Sequence, residues 1–368
     1  MAKQKIIVSV TNDLSTDQRA DKICNTLTNL GYDVLLIGRY YKTSQFIYRN
    51  YETKRFNLWF NKGFLFYANY NIRLFIFLLF TDSAILWSND LDTLPSNYII
   101  SKWKNVKLVF DSHEYFTEVP ELINRPTIKK IWKGIERKIL PKLTHVITVS
   151  QSIVNLFEKE YNIKVQLLRN VPSIKKEINE VENIKVAGKK TIIYQGAVNV
   201  NRGIEQMVKA MIHLDDTILY IAGDGDISEK IKTLIVTNEL SKKVILLGKI
   251  PLEKLHNYTV QSDLGLSLEE DAGLNYHFAL PNKLFDYIQA GIPVLVANLP
   301  EMEKLVKQYE VGEIIEDHTP EHIAKKIKGM LANQEQIDTW KTNCKKAAQE
   351  LNWEKETQFL EDFLNESK

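Results

Sequence analysis

Cysteine is nearly missing from this chain. Its 368 residues hold two, Cys24 and Cys344, far apart and in no metal-binding or redox spacing. That argues against a cysteine-based metal or redox centre and fits a reducing, cytoplasmic compartment. Long apolar runs are absent too: the most apolar stretch, Ile72 to Phe80, falls far short of the roughly 20 residues needed to span a bilayer. The chain runs from Met1-Ala-Lys-Gln-Lys directly into an apolar strand pattern without the core of a signal peptide, so no export signal is expected. There is no low-complexity tract and no block of like charge.

What is present suits a globular protein of two domains, each of about 150 to 200 residues. Net charge is only +2, but it is unevenly placed. Residues 1–172 carry 24 Lys and Arg against 15 Asp and Glu, a balance of +9, and the remainder carries 24 against 31, a balance of −7. The basic half is expected to meet something anionic, such as phospholipid head groups or a lipid-phosphate acceptor. The excess is modest and spread out, which argues against nucleic acid as the partner. Aromatic residues are skewed as well: 15 of the 37 Phe, Tyr and Trp lie between Tyr40 and Phe80.

Apolar runs mark strands separated by helical patterns. Lys5–Val10, Asp33–Gly38, Ala84–Trp87, Val106–Phe110 and His145–Val149 read as buried parallel strands, with a helix from about Asp17 to Leu30 closed by Gly31. After a charged linker, residues 173–189, the pattern restarts with Thr191–Tyr194, Ile218–Ala222, Val244–Leu247, Leu264–Leu268 and Val294–Ala297. The expected architecture is α/β, with two tandem Rossmann-like domains at 1–172 and 173–345. Residues 346–368 are expected to pack back on the first domain. In doubly wound sheets, ligands bind beyond the carboxyl ends of the strands.

The most informative segment is Leu280-Pro-Asn-Lys-Leu-Phe-Asp-Tyr-Ile-Gln-Ala-Gly-Ile-Pro-Val-Leu295. Pro281 suits a helix start, and Gly291 stops the helix before the next strand. Free N–H groups at Asn282 and Lys283, with the helix dipole behind them, form an anion site, and Lys283 adds a charge. Asp286, one turn on, is placed to grip a sugar hydroxyl. A plain solvated Lys283–Asp286 helix pair is the blander alternative.

This segment resembles the nucleotide-binding signature of GT-B-fold, family 4 type retaining glycosyltransferases. Tyr194-Gln-Gly-Ala-Val-Asn-Val-Asn-Arg-Gly203 and Ile221-Ala-Gly-Asp-Gly-Asp226 extend the likeness through the second domain, and Asn12-Asp-Leu-Ser-Thr-Asp-Gln-Arg19 and Asp111-Ser-His-Glu-Tyr115 in the first resemble a bacterial branch that builds surface polysaccharides. The resemblance implies two sheets facing a central cleft, and a donor diphosphate held by Gly196, Arg202, Asn282 and Lys283, with Asp286 on the ribose. It implies His113 at the reacting region, and Asn12, Asp13, Ser15 and Glu114 on the acceptor or cleft side. Two departures stand out: Ala197 replaces a customary arginine, and Phe278 stands where the family has a glutamate.

The implied activity is transfer of a sugar from a nucleotide-diphosphate donor, such as a UDP-sugar, to a glycan or lipid-linked acceptor. No cofactor is implied, and no metal, since Asp90-Leu-Asp92 and Asp224-Gly-Asp226 make poor metal motifs here. A nucleotide-sugar epimerase of similar fold, or a degenerate nucleotide-sugar-binding partner protein, remains as an alternative. Two surface features also stay open. The aromatic stretch Phe56–Tyr70 reads either as an interfacial segment or as core packing. Lys129, Lys130, Lys133, Arg137, Lys138 and Lys142 read either as a basic face or as an ordinary solvated one. The protein is expected in the cytoplasm, with a peripheral place on the inner face of the cell membrane left open.

Overall fold

The computed structural model describes residues 3–119, 122, 125–174 and 183–366. Much of the expected linker, residues 175–182, lies outside that set. The chain forms two compact units: one runs to Arg169 and resumes at Thr357, and the other is Asn170–Glu356. Residues 346–356 therefore stay with the second unit, and the return to the first begins at Thr357.

The first unit is built on seven parallel strands, β1 (Lys5–Asp13), β2 (Asp33–Tyr40), β3 (Glu52–Asn57), β4 (Ile85–Asn89), β5 (Lys107–Ser112), β6 (His145–Thr148) and β7 (Gln166–Leu167), in the order β3-β2-β1-β4-β5-β6-β7. Helices on either face bury the central strands on both sides, which is why those strands read as unbroken apolar runs. Ile6, Ile7 and Val8 are fully buried, and Val8 pairs with Leu36 on one side and Trp87 on the other.

Helix α1 (Gln18–Asn29) starts where the Asp17 carboxylate accepts the Ala20 N–H at 3.0 Å, and it ends in bonds from Leu30 and Tyr32 back to Thr26 and Leu27. Helices α2 (Gly63–Leu79) and α3 (Asp90–Lys104) pack on each other. Pro95 interrupts α3, and Asn71 of α2 fills the gap, donating to the Asp92 carbonyl at 2.7 Å and accepting from the Ser96 N–H at 3.4 Å. Helices α4 (Pro126–Ile139) and α5 (Gln151–Tyr161) follow. The returning helix Leu360–Asn365 lies by β5 and β6: Lys107 Nζ donates to the Glu366 carbonyl at 2.7 Å, and Phe363 meets the His145 ring edge-on.

The aromatic stretch divides between core and surface. Phe56, Phe66 and Tyr70 are buried, with Tyr70 donating to the Val10 carbonyl, while Trp59 and Phe64 stand exposed. Two of the lysines on α4 are paired, while Lys130 and Lys138 are exposed. Lys129 pairs with Glu118, and Lys133 bridges Glu136 and Glu160.

The second unit carries six parallel strands, β8 (Lys190–Gln195), β9 (Thr217–Ala222), β10 (Val244–Gly248), β11 (Leu264–Ser267), β12 (Val294–Ala297) and β13 (Gly312–Ile315), ordered β10-β9-β8-β11-β12-β13. Each sheet thus has a switch point where strand order reverses, between β1 and β4 in one and between β8 and β11 in the other. Connections leave the sheet in opposite directions there, opening a crevice at the carboxyl ends of the strands.

Candidate functional site

The expected donor residues converge at the β8/β11 switch point. Gly196 follows β8 with φ +131°, a conformation that side chains other than glycine rarely adopt, and a Cβ there would lie 3.4 Å from Lys283 Cε. Arg202 lies in the next loop. Gly203 (φ +69°) lets that loop press on the chain leaving β11, since an added Cβ would sit 2.1 Å from the Leu268 carbonyl oxygen. The Glu270 N–H donates to the Asn201 carbonyl at 3.0 Å and bolts the same two segments together.

This packing delivers a residue that the sequence reading did not single out. Glu269, just beyond β11, is fully buried and accepts from the Ser267 hydroxyl at 2.8 Å. Lys283 Nζ lies 2.5 Å from its Oε1, and Arg202 Nη1 3.6 Å from the same oxygen. Burial alone would raise the Glu269 pKa, but the two cations outweigh it and hold the carboxyl below its ordinary range. The aromatic faces of Tyr194, 4.4 Å from Lys283 Nζ, and Tyr276, 5.4 Å from the Arg202 guanidinium, flank the pair.

Two cations sharing one carboxylate leave a net charge of +1 beside the open backbone of Gly196. Arg202 Nε is buried and finds no hydrogen-bond partner among the described residues. Lys283 is buried and turned to Glu269, which rules out the solvated Lys283–Asp286 pair. Asp286 instead accepts from the Gln195 amide at 2.9 Å, and the other end of that amide accepts from the Thr259 hydroxyl at 2.7 Å. Asn282 is exposed at the first turn of the helix Asn282–Gln289, whose start has no side-chain cap. Phe278 supplies no carboxylate and packs edge-on against His277.

A second cluster lies at the carboxyl ends of β4 and β5 in the first unit. His113, just past β5, is held on three sides. Its Nδ1 lies 3.2 Å from Asp90, and its Nε2 lies 2.9 Å from Asn89 Oδ1 and 3.6 Å from Asp111. Burial would lower its pKa, but Asp90 and Asp111 raise it from 6.5 to about 9. His113 is thus an imidazolium at neutral pH, with both ring nitrogens engaged; it offers charge rather than basicity. Arg19 grips the buried Asp111 with Nε and Nη2 at 3.2 and 2.7 Å. Although burial opposes it, Arg19 and His113 hold Asp111 well below the usual carboxylate range. Nearby Asp92 accepts from the Thr11 hydroxyl at 2.5 Å, and burial with neighbouring Asp90 pushes it up to about 8.

The other acceptor-side candidates are not gathered on His113. Asn12 is exposed and donates to Asp17 at 3.0 Å. The Asp13 carboxylate braces its own loop, accepting from the Ser15 N–H at 3.0 Å and the Ser44 hydroxyl at 2.5 Å, with Arg55 at 3.6 Å. Glu114 is exposed, and its carbonyl accepts from Ser112 at 2.8 Å.

Comparison with known proteins agrees with this architecture. Residues 175–347 match the family described as glycosyl transferases group 1, and residues 18–172 match Glycosyltransferase Family 4. A Candida albicans chitobiosyldiphosphodolichol beta-mannosyltransferase is 23% identical over 274 residues, 62% of this chain; the match spans only 59% of that relative's length. Among solved structures, sucrose-phosphate synthase from Thermosynechococcus elongatus superposes with a TM-score of 0.81 at 16% identity, covering 98% of each chain. Anabaena Alr3699/HepE, in complex with UDP and glucose, gives 0.74 at 14%, covering 99% of this chain and all of that one. At these identities the likeness to solved structures is one of fold. The two family matches, which between them span nearly the whole sequence, and the two doubly wound sheets together place this chain among the glycosyltransferases of GT-B fold.

Proposed function

We propose that this protein is a retaining glycosyltransferase that moves a sugar from a nucleotide-diphosphate donor to a glycan or lipid-linked acceptor of surface-polysaccharide synthesis. The observation that carries the reading is the Arg202–Glu269–Lys283 cluster, a net-positive site beside the left-handed backbone of Gly196. In this reading the second unit binds the donor and the first unit the acceptor. The named relatives, a mannosyltransferase and a protein bound to UDP and glucose, support a nucleotide-sugar donor, and UDP is the first to try.

Arg202, Lys283 and the helix N-terminus at Asn282 stabilise the charge that develops on the departing diphosphate, an electrostatic contribution preset before reaction. These groups take the part of a divalent metal, so turnover proceeds in chelator. The anomeric carbon's bond to the diphosphate breaks as its bond to the acceptor oxygen forms on the same face. The acceptor proton passes to a donor phosphate oxygen, which fits a His113 already protonated. Asp286 holds the ribose.

The test is product analysis with a panel of nucleotide sugars and lipid-linked or glycan acceptors in EDTA. A glycosylated acceptor with retained anomeric configuration supports the reading; an inverted anomer refutes the retaining mechanism. Phe278 and Ala197 favour one second reading, a nucleotide-sugar-binding partner without turnover. Donor binding with no product from any acceptor would favour it, and conversion of the donor sugar without acceptor would point to an epimerase. The basic first unit supports peripheral contact with an anionic membrane.

A further inference from the structure

Among the described residues, nothing packs on the outer side of α2. Helices on the surface of a globular protein normally turn a polar stripe to water. Here Leu65, Ile72 and Ile76, spaced to share that side, are 52%, 58% and 51% exposed, while Phe66, Tyr70 and Leu74 fill the core behind them. Trp59 and Phe64 at one end of the helix and Phe80 at the other are 78%, 71% and 83% exposed. On the neighbouring α3, Ile99 and Trp103 are also exposed.

Charge distinguishes the possible occupants. Between Thr53 and Phe80 the chain carries Lys54, Arg55, Lys62 and Arg73 and no carboxylate at all. Arg73 lies along the Trp59 ring at 4.8 Å, and Lys54 over Phe77 at 4.7 Å, their apolar stems flanking the patch. A second copy of the chain, packing this face against itself about a two-fold axis, would bring those cations together. A bilayer with anionic head groups meets both features, acyl chains under the apolar stripe and phosphates around its cationic rim. The 17 residues of α2 are too few to cross a membrane, and no helix of the described residues is long and apolar enough to do so.

We infer that α2 is an in-plane docking helix, sinking Leu65, Ile72 and Ile76 into the interface of a membrane rich in anionic phospholipid, with Trp59 and Phe64 as aromatic anchors. The inference gives the peripheral contact proposed above a defined surface, and it rests on that reading only for its purpose.

The test is flotation of the full chain with phosphatidylcholine vesicles containing about a third phosphatidylglycerol, against phosphatidylcholine alone, at low and high salt. The wild type floats with the anionic vesicles, less so at high salt. Ile72→Ser with Ile76→Ser, both at exposed positions, weakens binding at least tenfold, and Lys62→Ala with Arg73→Ala reduces the preference for anionic lipid. UDP binding without vesicles is measured on the same preparations, so loss of docking is read separately from loss of the nucleotide site. Equal flotation of the Ile72/Ile76 variant and wild type, or no flotation of wild type, overturns the inference. So does a self-associating wild type that the Ile72/Ile76 variant makes monomeric, which would assign the face to a second copy.

Discussion

Replacing Glu269 by Gln removes one charge from the centre of the proposed donor site and keeps the shape. At an effective dielectric of about 20, cations 2.5 and 3.6 Å from one carboxylate oxygen contribute about 7 and 5 kcal/mol, most of which the burial of the carboxylate offsets. Breaking a buried pair on one side nonetheless costs about 3–5 kcal/mol, because the remaining charges lose their partner. Here two cations are left facing each other. At roughly 2–4 °C per kcal/mol for a unit of this size, the second unit of Glu269→Gln unfolds about 6–20 °C lower. Its net site charge rises from +1 to +2, so an added diphosphate no longer competes with Glu269 for Lys283 and Arg202. UDP therefore stabilises the variant more than the wild type, through the usual linkage of binding to folding. Thermal unfolding with and without UDP measures both effects, and hydrogen exchange of β8 and β11 assigns them to the second unit. The reasoning fails if the variant unfolds within about a degree of wild type, or if UDP stabilises it less.

Three further outcomes follow from the same geometry. Arg202→Ala lowers turnover at least tenfold with donor both saturating and limiting, and unchanged turnover would remove its role. Gly196→Ala forces a side chain into a left-handed backbone beside Lys283 and is expected to cost about 1–3 kcal/mol, read as weaker UDP binding by calorimetry. Stability of the first unit falls as pH rises through the neutral range. Asp92, raised to about 8, is ionised in the unfolded chain from about pH 4 but protonated when folded, so its contribution declines between those values. The His113 contribution, of order 3 kcal/mol, is fully present below its unfolded value near 6.5 and is lost as pH passes about 9. Asp92→Asn flattens the lower part of this profile and His113→Gln the upper part, as measured by urea unfolding across pH.

The central strands were legible because a sheet covered on both faces demands unbroken apolar runs, as in Ile6-Ile7-Val8 and Val294–Ala297. Edge strands carry no such signal. The segment forming β3, Glu52–Asn57, is mostly polar and exposed, and Gly312–Ile315 of β13 is short and half-buried. Gly196, Arg202 and Lys283 were readable from spacing around helix starts and from resemblance, and the fold brings them together. Glu269 was not. It sits beside Glu270, and nothing local says which of the two is buried; only the pairing of β8 with β11 turns Glu269 onto Arg202 and Lys283. Likewise, Asp90 and Asp111 end different strands, and their joint hold on His113 follows from the adjacency of β4 and β5. The carboxylates of Asp90 and Asp92, two residues apart, have separate neighbours, His113 and Thr11, which only the fold assigns.

The most direct measurement is calorimetric titration of the purified full chain with UDP, GDP and ADP and their common sugar conjugates in EDTA, beside Arg202→Ala. Tight binding of one nucleotide without metal, lost in the variant, is the predicted result. Binding by none of them, or binding that Arg202→Ala leaves intact, would contradict a donor site built on Arg202, Glu269 and Lys283.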